Sequence, residues 1–293
     1  MKKGNTKKSS YYSLNYILKN IMNKSESTIA RLAIVLFFII IVGPLLWMVI
    51  SSFKSSTEIF SNIWGLPQKW MFNNYIEAWN TGISKYFLNS VIVTVGTVIL
   101  TLVLCSLYAY SIAIYDFKGK KLFFLLALCG MMFSPIVSMI PLYQEIQALG
   151  LYNKRISLVL VYTAYQMSMS FLLIHSFFKS IDKAYIEAAA IDGCTGLKVL
   201  GYILVPMSKP IFITSAILTG FYAWNEFSFA LIFVKDDALK TIPSGLLAFQ
   251  GEMHAEWGVL LAGLTISALP IIIFFLIAQK YFIAGISAGG VKG

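Results

Sequence analysis

The sequence predicts an all-α, polytopic membrane protein with six transmembrane helices and a cytoplasmic helix–turn–helix. Three observations carry this. First, 58% of the 293 residues are hydrophobic and only 12% are charged, whereas soluble domains run about 45–50% apolar and about 25% charged. Second, six segments of 22 to 29 residues carry almost no charge: Leu32–Phe53, Phe87–Tyr115, Leu122–Gln144, Ile156–Phe178, Ile211–Val234 and Trp257–Gln279. A hydrocarbon core of roughly 30 Å takes roughly 20 helical residues, because backbone polar groups in lipid must be satisfied within the segment. Third, with the N-terminus placed in the cytoplasm, 16 of the 23 Lys and Arg residues fall on the inner side. That excess puts both termini inside and turns the net charge of +10 into a signature of topology. It leaves no case for nucleic-acid binding.

Taken in order, residues 1–29 are expected to form a basic cytoplasmic tail and not a signal peptide, since no apolar core precedes Ala30. Leu14, Ile17, Leu18, Ile21 and Met22 are spaced by three and four, which fits either an interfacial helix on the inner leaflet or a disordered tail. Residues 30–293 then read as one six-helix membrane domain. The polar outer segment Ser55–Tyr86 holds Trp64, Trp70 and Trp79 as interfacial anchors. Gly43-Pro44, Pro135, Pro141 and Pro270 are positions where spans can kink. The outer loop from Lys235 to Trp257 carries Asp236, Asp237, Glu252 and Glu256, with Gly245 and Gly251 offering sharp turns.

Catalytic chemistry has little to work with. Cys105, Cys129 and Cys194 are too far apart for a redox pair or a metal site. There is no Gly-x-x-x-x-Gly-Lys-Ser/Thr loop for a nucleotide, and His175 and His254 form no zinc-binding helix. Glu226 is the one carboxylate well inside a span, thin support for a proton-coupled relay. The chain reads as a non-catalytic conduit, with no cofactor or metal of its own, that takes its energy from elsewhere.

The loop between the fourth and fifth spans, residues 182–206, is the most informative. Asp182 can cap a short helix, and Gly193 can end it in a left-handed turn. A second short helix is expected from about Thr195 to Leu204, before Pro206 enters the next span. A helix pair that is apolar on one side is covered either by a partner protein or by lipid headgroups.

This loop, with Glu187-Ala188-Ala189-Ala190-Ile191-Asp192-Gly193 and Pro206 at the matching offset, resembles the Glu-Ala-Ala loop of binding-protein-dependent ABC importer permeases. The rest is similar to the carbohydrate branch, the second permease of maltose-type systems. Ser51-Ser52-Phe53-Lys54, Asn89-Ser90, Pro141-Leu142-Tyr143, Trp224-Asn225-Glu226-Phe227 and the terminal Ala288–Gly293 carry that likeness. Asp182, Cys194 and Leu200 depart from the usual proline, alanine and aromatic residues. The resemblance implies the type I importer permease fold and a second homologous permease subunit. It also implies two cytoplasmic ATPases holding ATP and magnesium, and an extracytoplasmic solute-binding protein that delivers a sugar. It assigns ATPase coupling to Glu187, Ala188, Ala189, Asp192, Gly193 and Pro206, and binding-protein contact to Gln250, Gly251 and Glu252. Permeases for amino acids, phosphate or polyamines, and less so an ion-coupled carrier, are the alternatives.

A neutral oligosaccharide offers hydroxyls and apolar ring faces, so its path should combine aromatics with a few polar groups. Tyr222, Glu226 and Phe229 share a helical stripe beside Asn225 in the fifth span, and the fourth span offers Tyr162, Tyr165 and Gln166. Glu226 should face the interior, because a carboxyl against lipid is costly. Apolar packing is the competing fate of the aromatics.

Overall fold

The computed structural model of the chain describes residues 31–194, 196–252 and 256–290, with the helical backbone alone at 248–252 and 277–290. The expected helix in the basic tail lies outside the described residues. Every regular element among them is helical. Four helices are long and apolar enough to cross a bilayer, and up to six if each of two sharply bent helix pairs counts as one span.

The first span is α1 (Arg31–Ser51). A short α2 (Ser56–Ser61) follows, capped by the Ser55 hydroxyl, then α3 (Asn73–Ala78) and the long α4 (Ser84–Ile114). The third expected span is broken: α5 (Lys120–Cys129) and a 3-10 turn lead through Phe133 and Ser134 into α6 (Pro135–Ala148), with a 105° bend between the halves. Pro135 therefore starts a helix and does not kink one, which suits its missing N–H. Pro141 and Pro270 both lie within continuous helices. The fourth span is the unbroken α7 (Arg155–Ser180).

The loop that follows contains α8 (Lys183–Ile191). It then forms one short helix built from α9 (Leu197–Val199), a π turn (Leu200–Leu204) and α10 (Val205–Met207). Pro206 sits inside this short helix and does not open the fifth span. An 83° bend at Ser208 separates it from α11 (Lys209–Asn225), where Pro210 occupies the first turn. The π turn is the adjustment that proline requires: Val205 N–H bonds to Leu200, shifting the register just before a residue that cannot donate.

The fifth span differs from expectation as well. Its helix stops at Asn225, Glu226 is extended (φ −69°, ψ 125°), and a separate α12 (Ser228–Phe233) completes the segment. The outer loop contains α13 (Ile242–Glu252), and the last span is α14 (Trp257–Gly290). Gly245 makes no sharp turn; it lies within α13. A Cβ there would stand 2.3 Å from the Tyr86 ring, so its role is close packing against α4.

The core sits where α4, α7 and α11 meet. Val93, Leu158, Tyr162, Ala223 and Phe229 pack in one cluster. A second, at the 182–208 loop end, joins Cys105, Ala109, Phe171 and Phe178 to Ala189, Val199 and Leu204. By contrast, none of the apolar window of α1 is buried. Among the described residues, that helix is fastened at its Ser51 end, where Ser51, Ser52 and Lys54 are fully buried. Asn74 Nδ2 donates to the carbonyls of Ser52 (2.8 Å) and Lys54 (3.0 Å), Lys54 Nζ donates to Asn62 O (2.7 Å), and Trp47 Nε1 donates to Ile63 O (2.8 Å).

Candidate functional sites

The 182–208 loop is built as a rigid two-helix projection. Asp182 Oδ1 accepts the Ala184 N–H at 3.0 Å, capping α8 as its residue type suggests. Gly193 stands at φ 78°, and its N–H bonds to Ala190 O (3.1 Å) while Cys194 N–H bonds to Ala189 O (2.8 Å). This paired closure satisfies the last carbonyls of α8 and turns the chain toward α9. The inner side is fixed to the membrane body through Ala189, Val199, Leu200 and Leu204, and the Tyr110 hydroxyl donates to Gly196 O at 2.9 Å. Tyr110 is a positioning residue that sequence reasoning missed, since a tyrosine near a span end reads as an interfacial anchor.

The other side is bare. Glu187, Ala188, Asp192, Gly193 and Pro206 are exposed, as are Tyr185, Ile191 (87%) and Tyr202 (77%). Ala189 points inward and is 5% exposed, so of the two alanines expected to pack on a partner only Ala188 is available.

The second candidate surrounds the break in the fifth span. Because the backbone leaves the helix at Glu226, its side chain folds forward and caps α12: Oε1 accepts Phe229 N–H (3.0 Å) and Oε2 accepts Ala230 N–H (3.2 Å). The Tyr162 hydroxyl donates to the same Oε2 at 2.7 Å. Three donors that lipid would leave unsatisfied thus converge on one carboxyl group. The Tyr165 hydroxyl meets that of Ser138, and its ring lies 5.3 Å from Phe229, while Tyr222 packs edge-on to Tyr162 at 5.9 Å.

Of the expected path residues, Tyr162, Tyr165, Tyr222, Glu226 and Phe229 come together, through a break and not along one continuous stripe, whereas the Asn225 side chain bonds back to Phe221 O. Their exposure divides them. Tyr162 and Phe229 are fully buried within the chain, whereas Tyr165, Gln166, Tyr222 and Glu226 are half-buried and Asn225 is exposed.

A third constellation orders the loop after α12. Asn89 Nδ2 donates to the carbonyls of Ala238 and Lys240 (both 2.9 Å), its Oδ1 accepts from Arg155 (3.0 Å), and Ser90 Oγ accepts Ile242 N–H (2.9 Å). Tyr86 donates to Asp237 at 2.7 Å, and Lys240 pairs with the same carboxylate at 2.9 Å. These contacts hold the Asp237 carboxyl below its ordinary range, the Tyr86 hydrogen bond contributing most. The Asn89-Ser90 pair thus has a concrete task as a clamp on the loop. Gln250, Gly251 and Glu252 lie on the backbone of α13, and their side chains are outside the described residues. No group of three or more His, Cys, Asp or Glu side chains suited to a metal occurs among the described residues.

The comparisons agree with this architecture. Residues 103–288 match the family described as binding-protein-dependent transport system inner membrane component. The chain is 52% identical over 258 residues to the probable ABC transporter permease protein YurM of Bacillus subtilis (strain 168), covering 88% of this chain and 86% of the relative. It is 32% identical over 266 residues to the diacetylchitobiose uptake system permease protein NgcG of Streptomyces coelicolor, covering 90% and 88%. Among solved structures, a bacterial ABC transporter involved in the import of the acidic polysaccharide alginate superposes with a TM-score of 0.74. That match has 21% identity and covers 96% of this chain and 100% of that one, a likeness of fold. The chain therefore belongs to the family of inner membrane components of binding-protein-dependent transport systems, as a multi-pass ABC importer permease.

Proposed function

We propose that this chain is one of two permease subunits of an ATP-driven sugar importer, working with a homologous partner permease, two cytoplasmic ATPases and an extracytoplasmic binding protein. The observation that carries the reading is the two-helix projection at 182–208. It is rigid on its inner side, and its outer side is apolar with Glu187 and Asp192 beside the apolar residues. In this reading the projection is cytoplasmic, both termini lie inside, and the ATPase cleft receives Glu187, Ala188 and Asp192. Gly193 sets the turn, and Pro206 helps fix the second helix. ATP and magnesium stay on the ATPases. The chain supplies no catalytic group; it converts ATPase closure into a change of access, limited by the differential affinity of the partner for the two permease states.

A sugar is favoured over other solutes by the name of the 32% identical relative, a diacetylchitobiose uptake permease. The half-buried Tyr165, Gln166, Tyr222 and Glu226, with exposed Asn225, form a wall of the path, and Tyr162 and Phe229 back it. The segment around Gln250, Gly251 and Glu252 faces the binding protein. Reconstitution of the complete importer in proteoliposomes tests this directly. ATP-dependent, binding-protein-dependent uptake of labelled di- and trisaccharides is the expected result. Uptake confined to amino acids, phosphate or polyamines, or uptake driven by an ion gradient without ATP, would overturn it.

A further inference from the structure

The end of the chain that carries the 182–208 projection also gathers lysines that none of the sites above employs. They surround the start of α5, a helix with no buried residue. It rests on α7 through Phe124, whose ring lies 5.0 Å from His175 and 5.7 Å from Phe171. Leu122, Phe123, Leu125 and Leu126 are exposed, and α5 is the first half of a bent span, so this apolar face suits hydrocarbon.

The Phe124–His175 contact sets what lies one turn beyond it. Four residues before Phe124 on α5 stands Lys120, and four after His175 on α7 stands Lys179. Side chains four apart share a helix face, so both amines are carried to the same edge of the membrane body. Lys183 opens α8 just past the end of α7. The Asp116 carboxyl is held below its ordinary range, first by its hydrogen bond from Lys120 (2.8 Å) and more weakly by Lys183, which places all three together. The other carboxylate nearby, Asp182, is taken up in capping α8. Among the described residues Lys118, Lys121, Lys179 and Lys183 make no hydrogen bond or ion pair. Lys120 and Lys121 moreover stand in the first turn of α5, where the helix dipole opposes a cation and Gly119 offers no capping side chain. Like charges gathered at a dipole of the same sign attract an anion, and the anion native to the edge of an apolar face is a lipid phosphate.

We propose that this corner docks one anionic phospholipid, its phosphate against Lys120, Lys179 and Lys183 and an acyl chain along the exposed face of α5. The proposal needs only a chain that crosses a bilayer, and it holds whatever solute the transporter carries.

The test is lipid competition on the assembled transporter. The complex is purified in detergent and titrated with phosphatidylglycerol or phosphatidylcholine of the same chains, and retained lipid is counted by native mass spectrometry. Phosphatidylglycerol should be retained in preference. Each of Lys120→Gln, Lys179→Gln and Lys183→Gln should weaken its tightest binding by about fivefold, and the three together by about a hundredfold. The single variants keep the site readable if the triple does not assemble, and the three Lys→Arg changes together should retain the preference. Neutralising Lys69, Lys85 and Lys235, exposed at the other end of the chain, alters net charge equally and should leave the tight binding unchanged. Glycerol phosphate should not displace the bound lipid, because it lacks the acyl chain. Equal retention of the two lipids, equal losses in both triple variants, no loss in the first, or displacement by glycerol phosphate would overturn the proposal. So would lost ATPase recovery with lipid retention intact, which would mark the lysines as part of a protein interface.

Discussion

Replacing Gly193 with valine isolates the turn of the 182–208 projection, because nothing lies within 4 Å of the position a Cβ would take. The effect is therefore one of backbone alone. At φ 78° an L-residue costs about 1–2 kcal/mol, and a β-branched one is disfavoured further. If the turn opens to relieve that strain, the Gly193–Ala190 and Cys194–Ala189 hydrogen bonds are lost, at about 1 kcal/mol each. Either way the native turn is destabilised by roughly 2–3 kcal/mol, enough to reduce its population by well over tenfold. Asparagine tolerates the left-handed region and alanine less well, so the order of function should be Gly, Asn, Ala, Val. The assay is recovery of the ATPase on purified permease, followed by binding-protein-stimulated ATP hydrolysis. All variants should reach the membrane, since the change lies outside the spans. Full ATPase recovery and normal hydrolysis by Gly193→Val would refute the argument that this turn aligns the two helices for docking.

Four further outcomes are expected. Glu187→Ala removes one exposed polar contact and should weaken ATPase recovery by about 1–3 kcal/mol if that contact is charge-assisted at the interface, less than the valine change in the turn; binding isotherms with purified ATPase measure it. Glu226→Leu strips the acceptor from Tyr162, Phe229 and Ala230, costing roughly 2–4 kcal/mol, and should lower the yield of monodisperse complex in size-exclusion chromatography, whereas Glu226→Gln keeps an acceptor and should assemble. Gly245→Ala forces a methyl group into the Tyr86 ring and should lower thermal stability in detergent by about 1–3 kcal/mol. Asp237 has a depressed carboxyl pKa, so its contribution to loop order is present above the ordinary carboxylate range and lost as pH falls through the lower, folded value. Tyr86→Phe removes the largest cause and should move that acid transition upward, read by spin-label mobility at Ala238.

Much of the architecture was legible because it rests on composition and charge. The six apolar segments coincide with α1, α4, α5–α6, α7, α11–α12 and α14, and the cap at Asp182 and turn at Gly193 stand where local residue chemistry demands them. The breaks were not legible. The run from Phe123 to Ile140 carries no charge, and Ser134-Pro135 at the 105° bend is a pair equally at home in a kinked helix. At Glu226 hydropathy favoured a continuous helix, while the side chain satisfied the N–H groups of a new one, and that local bonding prevailed. The long-range clamps made by Asn89, Tyr110 and Asn153 join residues 66 to 151 positions apart in sequence or depend on a single positive φ, which periodicity does not encode.

The lone first helix has a consequence for how the chain senses its solvent. Its 21 described residues rise about 31 Å, enough to cross the hydrocarbon layer. Elsewhere in the chain, interhelical packing dictates tilt. Among the described residues, none of the apolar window of α1 is buried, and the knot at Ser51–Lys54 with the Trp47–Ile63 bond fixes one end. For the isolated subunit, then, a thinner bilayer is met by leaning α1 about that knot and a thicker one by standing it upright, at a cost of fractions of a kcal/mol per ångström. The body of the protein is left unstrained, and lipid thickness is absorbed by one strut.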